Sequence, residues 1–390
     1  MTYRFAQSTN NSEISLIRRM NNLVTANTIN LGIGQLPYSL PIQVIDAGKT
    51  FLSRGKIGYT PNAGLPELRE LIANEYQSRT EKPTCRDEVL VCAGVEHALY
   101  VAFSTFLDKG DEVLIPEISF SPYRTIPKRK GAVVREFKLD KNFMPDFSDL
   151  EKKIIDKTKL IVVNSPANPT GAVLDNNSLE KLARILKRNP GVMLLSDEIY
   201  SNLYFSATRP VSPARYTNQV IVLDGISKSH GCGTGLRLGY VVADEEIINR
   251  MTPIVQETIS CAPTLSQVMA MPIFRGECKD HELSVRANLQ ANRGLLLERL
   301  DSIPSIKTTI PEGAFYCFVD VSSYKSPETP DSESIAKKIL KEKDVLVIPG
   351  IAFGKAGDDF IRISYAVPRE NILNGTAKLN EAFRKWNQKI

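Results

Sequence analysis

LDGISKSHGCGTGLRLGY, spanning Leu223–Tyr240, is the stretch on which the fold and chemistry of this chain turn. The apolar run Gln219–Leu223 leads into it; then come Gly225, Ser227, Lys228 and a turn carrying Gly231, Gly233 and Gly235 before Arg237. Because burial penalises charge, a lysine between a buried strand and a glycine-rich turn is either ion-paired, solvated at the surface, or used as an amine. Desolvation lowers a lysine pKa and leaves a nucleophile able to form a Schiff base with a carbonyl. Taken by themselves these residues fit a solvated loop lysine best, so the meaning of Lys228 depends on what the other segments bring to it.

Outward from this stretch, EVLVCAG (88–94), DEVLIPE (111–117), GAVVREF (131–137), KLIVVNSP (159–166), VMLLSDE (192–198), QVIVLDG (219–225) and GYVVAD (239–244) are short apolar runs. Helical patterns such as 95–107 and 179–187 separate several of them, and two more, 41–54 and 65–79, precede most of the series. Strands that are apolar throughout and alternate with helices indicate an α/β fold, with a mostly parallel sheet sandwiched by helices. This large domain is expected over 45–280. After Cys278 come a long charged helix (281–300), PEGAFYCFVDV (311–321), a helix over 332–341, DVLVIPG, FIRISYA and a closing helix over 369–386. They predict a smaller α+β domain over 281–390. Residues 1–44 hold an amphipathic pattern (Ile14, Ile17, Met20, Leu23, Val24) and the irregular NLGIGQLPYSLP (30–41), and are expected to associate with the small domain. SYKSPETPDSES (323–334) reads as a flexible surface loop.

Composition removes several function classes. The 390 residues carry a net charge of +5 with no long block of like charge, which gives no footprint for nucleic acid. The tightest basic cluster, Lys128–Lys130, is explained by a solvated helix end. Six cysteines without a CxxC spacing and only three histidines support neither a disulfide framework nor a zinc site, and a reducing cytoplasm is expected. The first residues lack the layout of a signal peptide, and no apolar run reaches membrane-spanning length.

In an open parallel sheet, ligands bind beyond the carboxyl ends of the strands, and the unusual residues fall there. Gly94-Val95-Glu96 joins a strand to a helix, where free amides would hold an anion such as a phosphate; a plain turn is as common. Phe120 follows the second strand and would stack on a planar ring, though a lone phenylalanine is more often core. In Asn168-Pro169-Thr170-Gly171 the turn chemistry accounts for Pro169 and Gly171, while Asn168 can also aim an amide at a ligand. Asp197 ends its strand; a carboxylate buried there needs a positive partner, for which a protonated heterocyclic nitrogen would serve. Tyr200 would share a helical face with it. Arg237 is a possible phosphate partner. Arg362, inside an apolar strand, suits a substrate carboxylate, with an ion pair to Asp358 or Asp359 as the structural alternative.

Taken together these signals describe a planar aromatic aldehyde with a ring nitrogen, a phenolic oxygen and a phosphate: pyridoxal phosphate. From INLGIGQLP through YTPNAGLPELR, NPTG, DEIY, SKSHGCGTGLRLGY and FIRISYA, the chain resembles the class I/II aminotransferases of the PLP fold-type I family. The resemblance implies that Lys228 is the Schiff-base lysine and the general base, that Asp197 holds the pyridine nitrogen, and that Asn168 and Tyr200 bond the phenolic oxygen. It implies Phe120 stacked on the ring, the amides of Val95 and Glu96 with Ser227 and Arg237 on the phosphate, and Arg362 with the backbone near Gly34 on the substrate carboxylate. It further implies a homodimer in which Tyr59 reaches the neighbouring subunit's phosphate. The expected activity is transfer of the amino group of an L-amino acid to a 2-oxo acid by a ping-pong mechanism. A PLP-dependent lyase, cyclase or oxidase, with His230 as an added acid, is the alternative. A PLP-sensing regulator fits less well, because about forty residues precede the glycine-rich entrance. Three departures stand out: Gly225 where relatives carry a serine, a 229–236 loop one residue longer, and GIGQLPYSLP without the acidic residue many relatives have there.

Overall fold

The computed structural model describes residues 3–6, 9 and 13–387. Its centre is a seven-stranded sheet. In spatial order the strands are Val89–Cys92, Gly239–Val242, Val220–Gly225, Met193–Asp197, Thr158–Asn164, Glu112–Pro116 and Val133–Phe137. All run parallel except Gly239–Val242, which is antiparallel to both neighbours. Successive residues feed opposite faces: Val220 and Val222 enter one apolar cluster, Ile221 and Leu223 the other. Both faces are covered, so the middle of each inner strand is a continuous apolar run rather than an alternating one. Among the covering helices, Asn176–Arg188 is amphipathic: capped by Asp175 accepting from the Ser178 amide, it buries Leu179, Leu182, Ile185 and Leu186.

A second sheet is antiparallel, in the order Ile348–Pro349, Phe360–Ser364, Tyr316–Asp320 and Lys307–Thr308. It packs with the helices Lys279–Asp301, Ser332–Lys343 and Arg369–Asn387 in a third apolar cluster that also takes in Met20 and Leu31. Ile29–Asn30 pairs in parallel with Val345–Leu346. The helix predicted around Ile14–Val24 is shorter, Leu16–Asn21, with Ser15 as its cap. The stretch 323–334 is held more firmly than a flexible loop. Ser332 is fully buried, its amide and hydroxyl each donate to Asp358 at 3.0 Å, and it opens the helix Ser332–Lys343.

Beneath the carboxyl ends of the strands lies a buried ion cluster. Arg79, from the helix Pro66–Thr80, reaches Glu198 at 2.7 Å and Asp224 at 3.0 Å. Glu198 also accepts from Ser196 and Ser212, so its carboxylate is used within this cluster. Removing one partner of a buried ion pair strands the other charge in a low dielectric. Arg79→Ala should therefore lower stability by about 3–5 kcal/mol, measured as a fall in the urea midpoint; an unchanged midpoint would show that the cluster contributes nothing.

Candidate active site

The strand ends of the large sheet, the irregular segment after Asn30 and the strand Phe360–Ser364 converge on a cavity of about 1000 Å³. Gly34, Val95, Glu96, Phe120, Asn168, Asp197, Tyr200, Ser227, Lys228, Arg237 and Arg362 all line it. Of the expected site residues only Tyr59 is elsewhere, 90% exposed on the surface of this chain.

Lys228 is presented by a tight turn after Val220–Gly225, closed by the Gly231 amide donating to the Lys228 carbonyl at 2.9 Å. The neighbouring Ser229 hydroxyl lies 2.8 Å from both Asp224 Oδ1 and the Ile199 carbonyl, which fixes the turn. Lys228 Nζ donates to the Gly34 carbonyl and stands 5.5 Å from the Phe315 ring centroid. Burial, reinforced by Arg362 and Arg237 and partly opposed by Glu96, lowers its pKa to about 8.

Asp197 is 3% exposed at the end of its strand. It accepts from the Tyr123 hydroxyl at 2.6 Å and the Ile199 amide at 3.1 Å. Burial outweighs those hydrogen bonds and pushes its carboxyl up to about 7. Asn164 braces the floor, donating to the Asp197 carbonyl at 2.9 Å and accepting from the Asn168 amide at 2.8 Å. The chain after Asp197 forms turns, not a helix, so Tyr200 does not share a helical face with it; it reaches the same cavity with its hydroxyl 3.2 Å from that of Tyr316.

Arg362 is 2% exposed and donates to Asn168 Oδ1 at 2.8 Å and to the Gly32 carbonyl at 2.7 Å. Its guanidinium lies 4.2 Å from the Tyr316 ring centroid, and its Nε has no partner. The structural alternative fails here: Asp358 and Asp359 pair with Lys325, at 3.1 Å and 2.6 Å. A buried guanidinium held only by neutral groups suits an incoming anion.

At another part of the wall, Gly94 (φ +84°) turns the chain into the helix Val95–Phe106. Arg237 packs on this turn so closely that a Cβ at Gly94 would sit 2.5 Å from its Nη2. The loop after Lys228 closes through the short 3₁₀ turn Thr234–Leu236, flanked by left-handed Gly233 and Arg237, and Arg237 reaches the cavity. Gly225 has a packing reason: a Cβ there would lie 2.7 Å from the Leu238 carbonyl oxygen and 2.9 Å from Gly239 Cα. His230 does not stand on the cavity wall. It is buried behind the loop against Glu282, which removes the reason for assigning it an acid role.

Sequence reasoning missed Tyr123, Asn164 and Tyr316. The available signals were faint: Tyr123 follows Phe120 by three residues, Asn164 ends KLIVVNSP, and Tyr316 sits in PEGAFYCFVDV.

The cavity thus joins an anion cradle at a helix start, a buried carboxylate, an amine of lowered pKa and a guanidinium awaiting an anion. The family model for aminotransferase class I and II matches residues 26–379. A probable aspartate aminotransferase of Methanocaldococcus jannaschii is 37% identical over 379 residues, covering 96% of this chain and 98% of that protein. The aspartate aminotransferase of Thermus thermophilus solved with maleate superposes with a TM-score of 0.91 at 29% identity, covering 97% of this chain and all of that one. The aromatic aminotransferase of Pyrococcus horikoshii gives 0.87 at 31% identity, covering 95% and 99%. This chain belongs to the class I and II aminotransferase family, and it is an aminotransferase.

Proposed function

We propose that the chain is a pyridoxal phosphate-dependent enzyme that moves the amino group of an L-amino acid to a 2-oxo acid in two half-reactions, with Lys228 as the cofactor's covalent anchor. The observation that carries this reading is the meeting of Lys228, Asp197 and Arg362 in one cavity. The residues fit the cofactor: Arg237 and the start of Val95–Phe106 offer a phosphate cradle that a Cβ at Gly94 would fill, and Asp197 is a buried carboxylate suited to a ring N–H. The relatives' names make aspartate the first amino acid to test, and Arg18 and Lys128, which line the same cavity, favour an acidic substrate, whereas Arg19 there pairs with Glu13. Structures named for aspartate and for aromatic substrates both resemble this chain, so the side-chain preference is open to that test.

When bound, the cofactor supplies an electron sink for the substrate Cα carbanion and carries the amino group between half-reactions. Asp197, oriented by Tyr123 and Asn164, holds a proton on the ring nitrogen. Asn168 and Tyr200 would bond its phenolic oxygen, Phe120 would lie against its ring, and Ser227, Arg237 and the amides of Val95 and Glu96 would hold its phosphate. Arg362, with the backbone at Gly34, fixes the substrate α-carboxylate and so sets which Cα bond faces Lys228. Lys228 Nζ, with a pKa near 8, would take the proton from the substrate Cα. The remaining parts of the reading are a cytoplasmic homodimer in which Tyr59 of one subunit reaches the phosphate of the other, and a division into a large domain (45–280) and a smaller one (281–390) joined by 1–44. Among the described residues no helix is long and apolar enough to cross a membrane.

Supplied with L-aspartate and no oxo acid, the loaded protein should convert to the pyridoxamine form once and stop, as read from its absorbance; sustained release of ammonia would overturn transamination. Borohydride should fix the cofactor onto the peptide containing Lys228, with trapping that rises as pH passes about 8, because the free amine is the nucleophile; Lys228→Ala should trap none. Arg362→Leu should lower kcat/KM for every α-amino acid by about a hundredfold, the usual scale for a lost buried charge partner. Unchanged kinetics would reject the carboxylate role.

A further inference from the structure

Two of the three histidines meet away from the cavity, where the Lys228 loop crosses the helix Lys279–Asp301. His230 is 3% exposed, with Nδ1 2.6 Å from Glu282 Oε1 and its ring edge-on to Phe274 at 5.2 Å between centroids. From the helix side, His281 Nε2 lies 3.3 Å from the Gly231 carbonyl oxygen. His230 Nε2 has no hydrogen-bond partner and stands 4.0 Å from Glu75 Oε2, on the helix Pro66–Thr80. The other oxygen of Glu75 is 3.7 Å from Arg209 Nη2. One imidazole therefore lies between carboxylates from two different helices.

The remaining groups around it are Asp224 beneath the loop, Arg209 and Arg79 beyond Glu75, the Tyr240 hydroxyl, and the Asn202 amide 3.5 Å from Nδ1. Burial opposes a charge on His230, but Glu75 and Glu282 outweigh it and raise its pKa above the ordinary value. A histidine with a raised folded pKa contributes its stabilisation in full at acidic pH and loses it as pH rises through that raised value. The same helix continues to the other end of the site. Asn292 Nδ2 donates to the carbonyls of Tyr365 at 3.0 Å and Val367 at 2.9 Å, directly after the strand that carries Arg362.

We propose that His230, held between Glu282 and Glu75, is the positioning residue that clamps the Lys228–Arg237 loop to the helix Lys279–Asp301 through Nδ1–H and Glu282, and that the clamp weakens when His230 loses the Nε2 proton that faces Glu75. The clamp joins the loop that carries Lys228 and Arg237 to the same helix whose Asn292 holds the chain just after the strand of Arg362, and in that loop Arg237 is left-handed and packs against Gly94. The functional part of this inference rests on the roles proposed above for Lys228 and Arg237. His230 and Lys228 flank Ser229, whose buried hydroxyl is fixed on Asp224, so the two side chains leave the turn in different directions, one into the cavity and one behind it.

Hydrogen exchange of the peptide covering 229–236 reads the clamp directly in the full chain, with and without pyridoxal phosphate, after correction for the intrinsic pH dependence of amide exchange. Protection in the unaltered protein should fall about tenfold, the scale of one charge-assisted hydrogen bond, as pH rises through the titration of His230 followed by its own NMR resonance. His230→Gln keeps a donor without the charge, and its protection should be independent of pH and close to the alkaline value of the unaltered protein; Glu282→Gln keeps an acceptor without the charge, and its protection at acidic pH should be lower than that of the unaltered protein, with the remaining pH dependence moved to lower pH because only Glu75 still favours the imidazolium. The dissociation constant for pyridoxal phosphate should follow the same profile in the unaltered protein and be flat in His230→Gln. Superimposable exchange profiles in all three proteins would overturn the clamp, as would cofactor affinity that ignores loop protection. The exchange measurement without cofactor does not depend on Lys228 being the anchor, whereas a visible cofactor band that survives Lys228→Ala refutes the anchor and leaves the clamp standing.

Discussion

Asp224, 1% exposed, is the constraint around which the site is assembled. A carboxylate at that depth requires partners, and it takes them from Arg79, the hydroxyls of Ser201 and Ser229, and the Gly225 amide. Each partner belongs to a different piece of chain: the helix Pro66–Thr80, the turn after Asp197, the residue after Lys228 and the strand end itself. Satisfying one buried charge thus fixes the direction in which Lys228 leaves the sheet. Arg79 adds Glu198 to the same cluster and ties down the residue after Asp197 as well.

The same desolvation acts in opposite senses on Lys228 and Asp197 in the cavity. It lowers Lys228 to about 8 and raises Asp197 to about 7, bringing an amine and a carboxyl close to neutrality. An amine that is partly free near physiological pH suits proton transfer, and a carboxyl that gains from a cationic neighbour suits a ring nitrogen. Arg362 completes the pattern, since its hydrogen bonds go to an amide side chain and a backbone carbonyl, and among the described residues no carboxylate pairs with it.

The residues around Lys228 have physical explanations in this chain. Gly225 is required by the contact between neighbouring strands, so a side chain there is excluded by packing. The 229–236 loop turns through glycines at positive φ and a short 3₁₀ turn, which leaves Arg237 on the cavity wall. His230 belongs to the rear of the loop, where two helices supply its carboxylates.

By itself the sequence determined the α/β class, the position of nearly every sheet strand and the residues standing at the strand ends, because a sheet buried on both faces leaves an unbroken apolar signature that ends where polar chemistry begins. It also carried the ordered motifs from INLGIGQLP to FIRISYA that mark the family. Only the tertiary structure decided which polar groups meet. Tyr123 reaches Asp197 from 74 residues away, Arg79 reaches Asp224 from 145, and Arg362 reaches Asn168 from 194. Burial and periodicity are local properties that a sequence displays residue by residue, whereas the partner of a buried charge is chosen by how distant elements pack, and no spacing along the chain records that choice.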